Sequence, residues 1–378
     1  MASSASQGIR EVEASGLGAG AAMPHAEAPA LARAAVCAPA PRLAPTYAAL
    51  DLGTNNCRLL LARPAGDGFR VVDAFSRIVR LGEGLAATGA LSEAAMARTL
   101  DALKICVDKI AHRRVGAGRY VATEACRRAV NCDDFLARVR ETAGIELEII
   151  STAEEARLVV TGCAPLLNPR VPYALVFDIG GGSTEIVWLR QGVAHRRGRP
   201  AEAAGRWVPR GRPEILGSTS LPFGVVTFTE QFGGVDVPPA AYRGMVAEAQ
   251  AALAPFEARH RIMRQVRAGR VQMLGSSGTV TTLAGVHLAL PRYIRAMVDG
   301  STLTFDQIDK VSRHLAGLDL AGRAASPCVG RERADLVLAG CAILDAICAT
   351  WSVGQLRVAD RGVREGILFD LMNGSVPH

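Results

Sequence analysis

The sequence lacks the residue patterns of a zinc protein or a membrane-spanning protein. Its nine cysteines form no CxxC pair, and its seven histidines show no metal-ligand spacing. Four of the cysteines, Cys106, Cys163, Cys341 and Cys348, lie in apolar, helix-like segments and are interpreted as small core residues. No apolar run reaches the roughly 18 residues that a bilayer-spanning helix needs, so the sequence predicts no membrane partner.

The first part of the chain, residues 1–45, has almost no large apolar side chains and is rich in Ala, Gly, Pro and Ser. Such a segment cannot bury enough apolar surface to fold, so we predict a disordered tail. Glu11 and Glu13 precede any apolar stretch, whereas a signal peptide begins with basic residues followed by a continuous apolar run. The sequence therefore indicates a cytoplasmic protein.

The chain is basic, with a formal net charge of +7 and a pI near 9.1, and arginine contributes far more of the positive charge than lysine. Arginine suits phosphate because its planar guanidinium binds oxygens with two donors at once. A polyanionic partner explains the excess, and so does a composition bias of the genome. Net charge alone does not choose between the two.

Two stretches of the chain repeat one pattern. AALDLGTNNCRLLLA and LVFDIGGGSTEIVWL both read as an apolar strand with an aspartate, a glycine turn and a second strand. Strands and helices alternate after each, which predicts an α/β fold. Because a length of 378 residues allows two domains of about 150 residues, the repeat predicts similar domains over residues 46–158 and 159–378 that face each other across a cleft.

The second half contains one irregular segment and a predicted closing helix. Residues 192–217 hold too much Gly, Pro and Arg for regular structure, so we predict an exposed basic loop between strands. The chain ends in the pattern VREGILFDLM, which favours a helix. This C-terminal helix is predicted to close near the first domain.

The turn of the second repeat is unusually rich in glycine. Glycines leave backbone N–H groups free to converge on an anion, so the turn is a candidate phosphate cradle. Its members are Gly180, Gly181, Gly182, Ser183 and Thr184. A glycine-stabilised hairpin without any ligand explains this single turn equally well.

The matching turn of the first repeat contains Gly53, Thr54 and Asn55 and would hold phosphate from the other side. Asp51 and Asp178 occupy equivalent positions, one before each turn. Both are candidate Mg²⁺ ligands, because Mg²⁺ takes few carboxylates and keeps several waters. Turn chemistry explains the glycines but not the repeated aspartate, which favours a phosphate and metal site.

A third loop, LGSSGT, ends a predicted strand and begins a helix. The backbone amides of Ser277, Gly278 and Thr279 at this helix N-terminus suit an anion, helped by the helix dipole. Ordinary capping by Ser276 or Ser277 is the alternative.

Three glutamates are candidate catalytic groups. Glu154 and Glu155 each follow a hydroxyl residue by three positions, so both fit a capping box with Ser151 or Thr152. Only one box can form, and the other glutamate is a candidate general base. Glu185 follows the glycine turn and either faces outward or orients an attacking water.

The segment ATEACRRA follows a predicted strand and begins a helix. Arg127 or Arg128 at this helix start is a candidate phosphate clamp. A solvated helix face explains one of the two equally well.

Taken together, the motifs resemble a known family. ALDLGTNNCRLLLA, RLGEGL, ATEACRRA, STAEEARL, FDIGGGSTE, LPFGVV and LGSSGT occur in the order found in the exopolyphosphatase and guanosine pentaphosphate phosphohydrolase family, from Tyr47 to the closing helix. The resemblance implies two ribonuclease H-like domains of the actin, sugar kinase and chaperone ATPase superfamily, facing an interdomain cleft. It also implies a Mg²⁺-dependent hydrolase that releases terminal phosphate from polyphosphate, or converts guanosine pentaphosphate to the tetraphosphate.

The same resemblance implies roles for individual residues. Glu155 looks like the glutamate that activates water and Glu185 like its partner. Asp178 looks like the metal-associated aspartate and Arg127 like the phosphate clamp, with the three loops binding phosphate. The implied partner is a polyanionic phosphate substrate rather than a nucleic acid, and a homodimer is a candidate assembly.

The chain departs from the family pattern in two places. Its first turn reads Thr-Asn-Asn where the family more often has Ser-Asn-Ser, which removes a hydroxyl at Asn56. It has no His-Asp dipeptide and ends before the His-Asp-type domain of longer members, so it resembles the short, two-domain form. We predict that the basic segment 196–212 helps to grip long chains, and that a hinge lies near Arg157 to Gly162.

Two other functions fit parts of the sequence. One is a kinase of the same superfamily that phosphorylates a small alcohol, and the other is a sensor that binds polyphosphate or guanosine pentaphosphate without turnover. The presence of both Glu155 and Glu185 argues against each, because neither function needs two glutamates directed at water.

Overall fold

The computed structural model describes residues 44–66, 68–192, 213–235 and 237–374. The predicted tail lies outside these residues except for its last two positions, and so does most of the predicted basic loop. The chain from Ala44 onwards forms one compact unit. The division into two domains at residue 158 therefore stays a prediction.

The described residues contain two mixed β-sheets. The first sheet has the order β3-β2-β1-β4-β5 and the second has the order β10-β11-β9-β6-β7-β8. The strands are β1 (Thr46–Leu52), β2 (Asn56–Ala65), β3 (Gly68–Ile78), β4 (Val115–Ala122), β5 (Glu148–Ile149), β6 (Tyr173–Ile179), β7 (Thr184–Arg190), β8 (Glu214–Leu221), β9 (Val271–Ser276), β10 (Thr302–Thr304) and β11 (Gln355–Ala359).

Helices surround and separate the sheets. They are α1 (Leu85–Thr88), α2 (Glu93–His112), α3 (Glu124–Arg128), α4 (Cys132–Ala143), α5 (Thr152–Cys163), α6 (Val225–Gln231), α7 (Pro239–His260), α8 (Ile262–Arg267), α9 (Gly278–His287), α10 (Arg295–Val298), α11 (Phe305–Ala316), α12 (Leu320–Ala325), α13 (Val337–Thr350) and α14 (Val363–Asn373). None of the helices in the described ranges combines the length and the apolar character needed to cross a membrane.

The two sheets share one topology. In each, three consecutive strands form an antiparallel meander, and the first strand of that meander pairs in parallel with a later strand. The meanders are β1-β2-β3 and β6-β7-β8, and the parallel partners are β4 and β9. This topology confirms the internal repeat that the two aspartate-glycine motifs predict.

Two helices lie between the sheets. One apolar cluster combines buried residues of the first sheet, such as Ala49 and Leu60, with Val176 and Val187 of the second sheet and with residues of α5 and α14. The two helices cross closely, because a Cβ atom on Gly162 would lie 2.2 Å from the carbonyl oxygen of Gly362. Glycine at this position lets the helix backbones meet, which holds α14 against α5.

The prediction of a loop over residues 192–217 is wrong at its C-terminal end. β8 begins at Glu214, so residues 214–217 are paired with β7 rather than irregular. The carboxylate of Glu214 forms an ion pair with Arg190 on the neighbouring strand at 2.5 Å. The composition of the whole segment concealed this strand start, because the apolar Ile215 and Leu216 stand at the end of a stretch dominated by Gly, Pro and Arg. Residues 193–212, including the segment proposed to grip long chains, lie outside the described residues.

Candidate active site

Two matching turns form the centre of the candidate site. Gly53, after β1, donates its N–H to the carbonyl oxygen of Asn56 at 2.9 Å, and Gly180, after β6, donates to Ser183 at the same distance. The aspartates that precede the turns, Asp51 and Asp178, both line the cavity between them. The repeat in the sequence is thus a repeat of turn geometry.

The consecutive glycines are required where the two turns meet. A Cβ atom on Gly182 would lie 2.7 Å from the Thr54 hydroxyl oxygen, and one on Gly181 would lie 3.1 Å from the backbone nitrogen of Asn55. Side chains at these positions would push the turns apart. Close contact between the two turns therefore explains why Gly181 and Gly182 are glycines. The approach of a ligand to the backbone is a second possible reason.

The cavity between the turns has a volume of about 120 Å³ and collects most of the predicted site residues. Those that line it are Asp51, Gly53, Thr54, Asn55, Glu155, Asp178, Gly180, Gly181, Gly182, Ser183, Glu185, Ser277, Gly278 and Thr279. Thr184 does not line it, since its hydroxyl is fully buried and donates to the carbonyl oxygen of Phe223 at 2.9 Å. Arg127 lies behind the cavity wall and contacts Glu155 instead.

Several backbone amides in the two turns have no acceptor. Among the described residues, the N–H groups of Thr54, Asn55, Gly181 and Gly182 donate to no backbone or side-chain oxygen. Unpaired N–H groups at residues that line one cavity can be satisfied by an acceptor that enters the cavity. Phosphate oxygens meet this need with a full charge.

Of the two capping candidates Glu154 and Glu155, it is Glu155 that lines this cavity. At the start of α5, the Ser151 side chain accepts from the Glu154 backbone N–H at 3.2 Å. The Glu154 side chain is occupied by Arg119 at 2.8 Å and Arg157 at 2.7 Å. Glu155 is therefore the residue left free of capping.

A short chain of charges holds Glu155 in place. Arg127 donates from Nη1 to Oε2 of Glu155 at 2.8 Å, and from the same nitrogen to the Ile150 carbonyl oxygen at 2.9 Å. Its Nε and Nη2 both donate to Oε2 of Glu124, at 3.1 and 2.9 Å. The predicted phosphate clamp thus orients a carboxylate in this structure.

Burial raises the pKa of Glu155 well above its usual range, and the nearby Glu185 carboxylate adds to the effect, while Arg127 opposes it. Burial also raises the pKa of Glu185, opposed by hydroxyl groups of Ser183 and Ser220. The Ser220 hydroxyl donates to Oε1 of Glu185 at 3.0 Å. A glutamate with a raised pKa is suited to accept a proton from water near neutral pH.

The two aspartates are buried as well. Burial and the Glu185 charge raise the pKa of Asp178 to about 7, and burial raises the pKa of Asp51 against the opposing charge of Arg58. The side-chain oxygens assigned as Oδ1 in Asn55 and Asn56 are buried without a hydrogen-bond partner. These carboxylate and amide oxygens are hard donors of the kind Mg²⁺ prefers.

The described residues contain no group of three or more His, Cys, Asp or Glu side chains placed to hold a metal ion alone. The groups in this cavity that could hold a metal ion are the carboxylates of Asp51 and Asp178 and the amide oxygens of Asn55 and Asn56.

The third loop caps the helix that follows it, one of the two alternatives that the sequence left open, and anion binding by this loop stays a prediction. The Ser277 hydroxyl accepts from the Val280 N–H at 3.4 Å, so it caps α9, and Ser276 donates to the Arg361 carbonyl oxygen at 2.7 Å. Ser277 has a φ of 131°, a backbone conformation that costs energy for a residue with a side chain. Ser277, Gly278 and Thr279 nevertheless line the cavity.

Two arginines in the cavity were not recognised from the sequence. The Arg58 side chain makes no ion pair or hydrogen bond with any described residue, and the Arg333 side chain donates among them only to the Thr282 hydroxyl, at 3.3 Å. Burial and the charge of Arg58 lower the pKa of Arg333. Arg58 could have been predicted as a site residue, because it lies opposite Asp51 in the β1-β2 register. Arg333 belongs to no motif and reaches the site only through the fold.

The chain is similar in sequence to known proteins over most of its length. The model of the Ppx/GppA phosphatase family matches residues 60–374. A guanosine-5'-triphosphate,3'-diphosphate pyrophosphatase of Aeromonas hydrophila is 30% identical over 340 residues, which cover 88% of this chain and 60% of that protein. The chain thus spans less than two thirds of this relative. Exopolyphosphatase 2 of Mycobacterium tuberculosis is 29% identical over 342 residues, which cover 86% of this chain and 98% of that protein.

Solved structures share the architecture. The Ppx/GppA family member of Aquifex aeolicus has a TM-score of 0.67 and 26% identity, covering 88% of this chain and 99% of its own. An exopolyphosphatase of Cytophaga hutchinsonii has a TM-score of 0.75 and 22% identity with the same coverage, a likeness of fold. The α/β fold of the actin-like ATPase type, expected from the sequence, is confirmed.

Proposed function

Because the chain belongs to the Ppx/GppA phosphatase family, we propose that it is a hydrolase that releases the terminal phosphate of a phosphoanhydride. The proposed substrates are inorganic polyphosphate and guanosine pentaphosphate, the classes named for relatives that match most of this chain. A polyanion of this kind also accounts for the net charge of +7.

One observation carries the proposal above the others. Glu155 is a buried carboxylate, fixed by Arg127 at 2.8 Å, in a cavity where backbone amides of two opposed turns find no acceptor among the described residues. A phosphate bound to those amides would lie in the same small cavity as the carboxylate. A binding protein has no need for a base in that place.

In the proposed reaction, Glu155 accepts a proton from a water molecule whose oxygen attacks the terminal phosphorus. The bond between that phosphorus and the bridging oxygen breaks, orthophosphate leaves, and the shortened substrate keeps the bridging oxygen. Amides of the two turns, with Arg58 and Arg333, stabilise the negative charge on the phosphate oxygens. Glu185 completes the polar wall beside the attacking water.

Mg²⁺ is the proposed cofactor. Asp51 and Asp178 would hold it, with the amide oxygens of Asn55 and Asn56 as further ligands. When bound, the ion would neutralise charge on the phosphate oxygens. Asp178, with a pKa of about 7, would bind the metal best in its ionised form, above neutral pH.

The first test compares phosphate release from long-chain polyphosphate, guanosine pentaphosphate and ATP in the presence of Mg²⁺. Glu155→Gln should reduce release by roughly a hundredfold or more, since one positioned general base contributes about 10²–10⁴-fold. Glu154→Gln is the matched control, because it removes the neighbouring carboxylate, which faces Arg119 and Arg157. It should retain most of the activity.

Equal rates for the Glu155→Gln variant and the wild type would return Glu155 to a structural role. Tight binding of polyphosphate or guanosine pentaphosphate without release by the wild type would instead establish a sensor. Preference between the substrates, a cytoplasmic location and a homodimeric assembly stay predictions until measured.

A further inference from the structure

The motif RLGEGL, residues 80–85, has no part in the reaction described above. It lies against the first turn, which contains Thr54 and Asn55. The backbone N–H of Gly82 donates to the carbonyl oxygen of Thr54 at 2.9 Å, and that of Arg80 donates to the carbonyl oxygen of Asn55 at 3.0 Å. The motif therefore fixes the backbone of a turn whose amides are proposed to bind phosphate.

The contact between the motif and the first turn is close. A Cβ atom on Gly82 would lie 2.3 Å from Cγ2 of Thr54. Arg80 has a φ of 48°, in the left-handed region that is unfavourable for a residue with a side chain. Such a conformation persists where the surrounding contacts enforce it. The backbone of Arg80 is thus held in place by the first turn.

The side chain of Arg80 reaches the other half of the molecule. Its Nη1 donates to Oδ2 of Asp335 at 2.8 Å, and its Nη2 donates to Oδ1 of Asp335 at 3.1 Å and to the carbonyl oxygen of Glu332 at 3.2 Å. That carbonyl belongs to the peptide bond between Glu332 and Arg333. Arg80 therefore connects the first turn, through its backbone, with the segment that carries Arg333, through its side chain.

The position of Arg333 depends on how this segment is held. Residues 331–336 form turns rather than a helix or a strand. Within the second half, the buried Arg323 donates from Nε to the carbonyl oxygen of Ala334 at 3.0 Å. The Arg333 side chain itself donates among the described residues only to the Thr282 hydroxyl, at the long distance of 3.3 Å. Its guanidinium is thus placed mainly by the backbone on either side of it.

We propose that Arg80 is a positioning residue that sets the place of the Arg333 guanidinium relative to the amides of the first turn. The inference rests on the proposed function, since it assigns a further residue to the same phosphate site. Arg333 and the first turn belong to different halves but line one cavity of about 120 Å³. One phosphate can contact both only when their separation is fixed, and a misplacement of about 1 Å can reduce a rate by about a hundredfold.

Arg80→Gln tests this role, because it removes the side-chain contacts and keeps the backbone bond to Asn55. We expect kcat/KM for phosphate release from tripolyphosphate with Mg²⁺ to fall about tenfold or more. Asp335→Asn removes the carboxylate at the other end of the contact and should give a similar loss. Arg80→Lys keeps the charge without the two-donor geometry, so it should restore only part of the activity.

Arg138→Gln is the matched control. Arg138 also makes a two-donor contact with a carboxylate, that of Glu93, at 2.6 and 3.0 Å, and neither residue lines the cavity. This substitution should leave kcat/KM unchanged. Circular dichroism and urea unfolding show whether each variant is folded under the assay conditions, and Asp335→Asn replaces Arg80→Gln in the comparisons if the latter is not.

A combination with Arg333→Gln separates positioning from a general structural role. If Arg80 acts through Arg333, Arg80→Gln lowers kcat/KM about tenfold in the wild type but less than about twofold in the Arg333→Gln background. A general structural role lowers kcat/KM by the same factor in both backgrounds. Equal factors would therefore overturn the proposal, as would unchanged kcat/KM in both Arg80→Gln and Asp335→Asn.

Binding measurements keep this test separate from the test of hydrolysis. In the Glu155→Gln background, the dissociation constant of tripolyphosphate is measured by calorimetry with and without Arg80→Gln and Arg333→Gln. Binding that is about tenfold weaker in Arg80→Gln, but not when Arg333→Gln is also present, supports the positioning role even if the wild type releases no phosphate. Release by the wild type together with unchanged affinity and rate in Arg80→Gln would overturn the positioning role alone. No binding of tripolyphosphate would overturn both proposals.

Discussion

At the scale of single residues, the site depends on how burial and neighbouring charges act on Glu155. Burial and the Glu185 carboxylate raise its pKa, and Arg127 works in the opposite direction. A general base acts in its ionised form. We therefore expect kcat/KM to fall as the pH is lowered through this raised pKa, at a pH well above the value of about 4.3 for an ordinary glutamate.

Replacement of Arg127 should shift the pH at which kcat/KM falls; this acidic part of the pH profile is called the limb below. Arg127→Gln removes the cation that favours ionised Glu155, so the limb should shift to higher pH by about one to three units. Arg128→Gln is the control, because Arg128 is the next residue on α3, is exposed and contacts no described charge. The pH dependence of kcat/KM for phosphate release measures both. A limb that stays in place in Arg127→Gln would show that another group is the base.

Single residues also show which roles could be predicted from the sequence and which could not. Both Glu154 and Glu155 satisfy the capping pattern, and only the direction of α5 relative to the cavity separates them. Arg127 was expected to bind phosphate, but its three hydrogen-bonding nitrogens are engaged by Glu124, Glu155 and a backbone carbonyl oxygen. Glu124 stands in the same ATEACRRA motif as Arg127, but only the fold shows that it accepts hydrogen bonds from Arg127.

At the scale of elements, the crossing of α5 and α14 joins the two sheets. The crossing depends on Gly162 and on Gly366, where a Cβ atom would lie 2.2 Å from the backbone carbonyl oxygen of Leu158. A backbone atom cannot move aside as a flexible side chain does. The predicted hinge near Arg157 to Gly162 falls within α5, at this contact, and hinge motion itself stays a prediction.

We expect Gly366→Ala to lower the free energy of unfolding by about 1–3 kcal/mol, the usual effect of overpacking. Urea unfolding followed by circular dichroism measures the change. Gly317→Ala is the control, since Gly317 has a helical φ of −79° and its added Cβ would meet only atoms at 3.5 Å, an ordinary contact. If Gly366→Ala lowers the free energy of unfolding no more than Gly317→Ala does, then α5 and α14 can move apart without a loss of stability.

Strand β8 shows the limit of local patterns at this scale. Its first residues, from Glu214 to Gly217, directly follow a segment rich in Gly, Pro and Arg, yet they pair with β7. A Cβ atom on Gly217 would lie 2.4 Å from the His260 ring, so glycine here serves helix packing rather than a turn. The structural role of a glycine therefore depends on the residues packed against it, not only on its neighbours in the sequence.

At the scale of the whole molecule, the proposed metal site exists only when both sheets are assembled. Asp51 lies on β1 of the first sheet and Asp178 on β6 of the second. The bidentate contact between Arg80 and Asp335, at 2.8 and 3.1 Å, joins residues far apart in the chain and helps to hold the halves together. Binding of the metal and of phosphate is therefore expected to stabilise the assembled arrangement of the two sheets.

Asp178→Asn should raise the Mg²⁺ concentration needed for half-maximal phosphate release by tenfold or more, because carboxylates dominate Mg²⁺ binding. Titration of Mg²⁺ after treatment with a chelator measures this shift. Asp101→Asn, at an exposed position near Lys104, should leave the titration unchanged. An unaltered Mg²⁺ requirement in Asp178→Asn would remove the aspartate pair from the metal site.

The repeated aspartate-glycine turns, the α/β alternation and the third loop could be predicted, because each depends on residues that are neighbours in the chain. The fold was needed to show which of Glu154 and Glu155 lines the cavity, why Gly181 and Gly182 must lack side chains, and that Arg333 reaches the site. These depend on contacts between segments more than a hundred residues apart, such as Thr54 against Gly182. The spacing of residues along the chain does not predict such contacts, because they form only when the two sheets pack together.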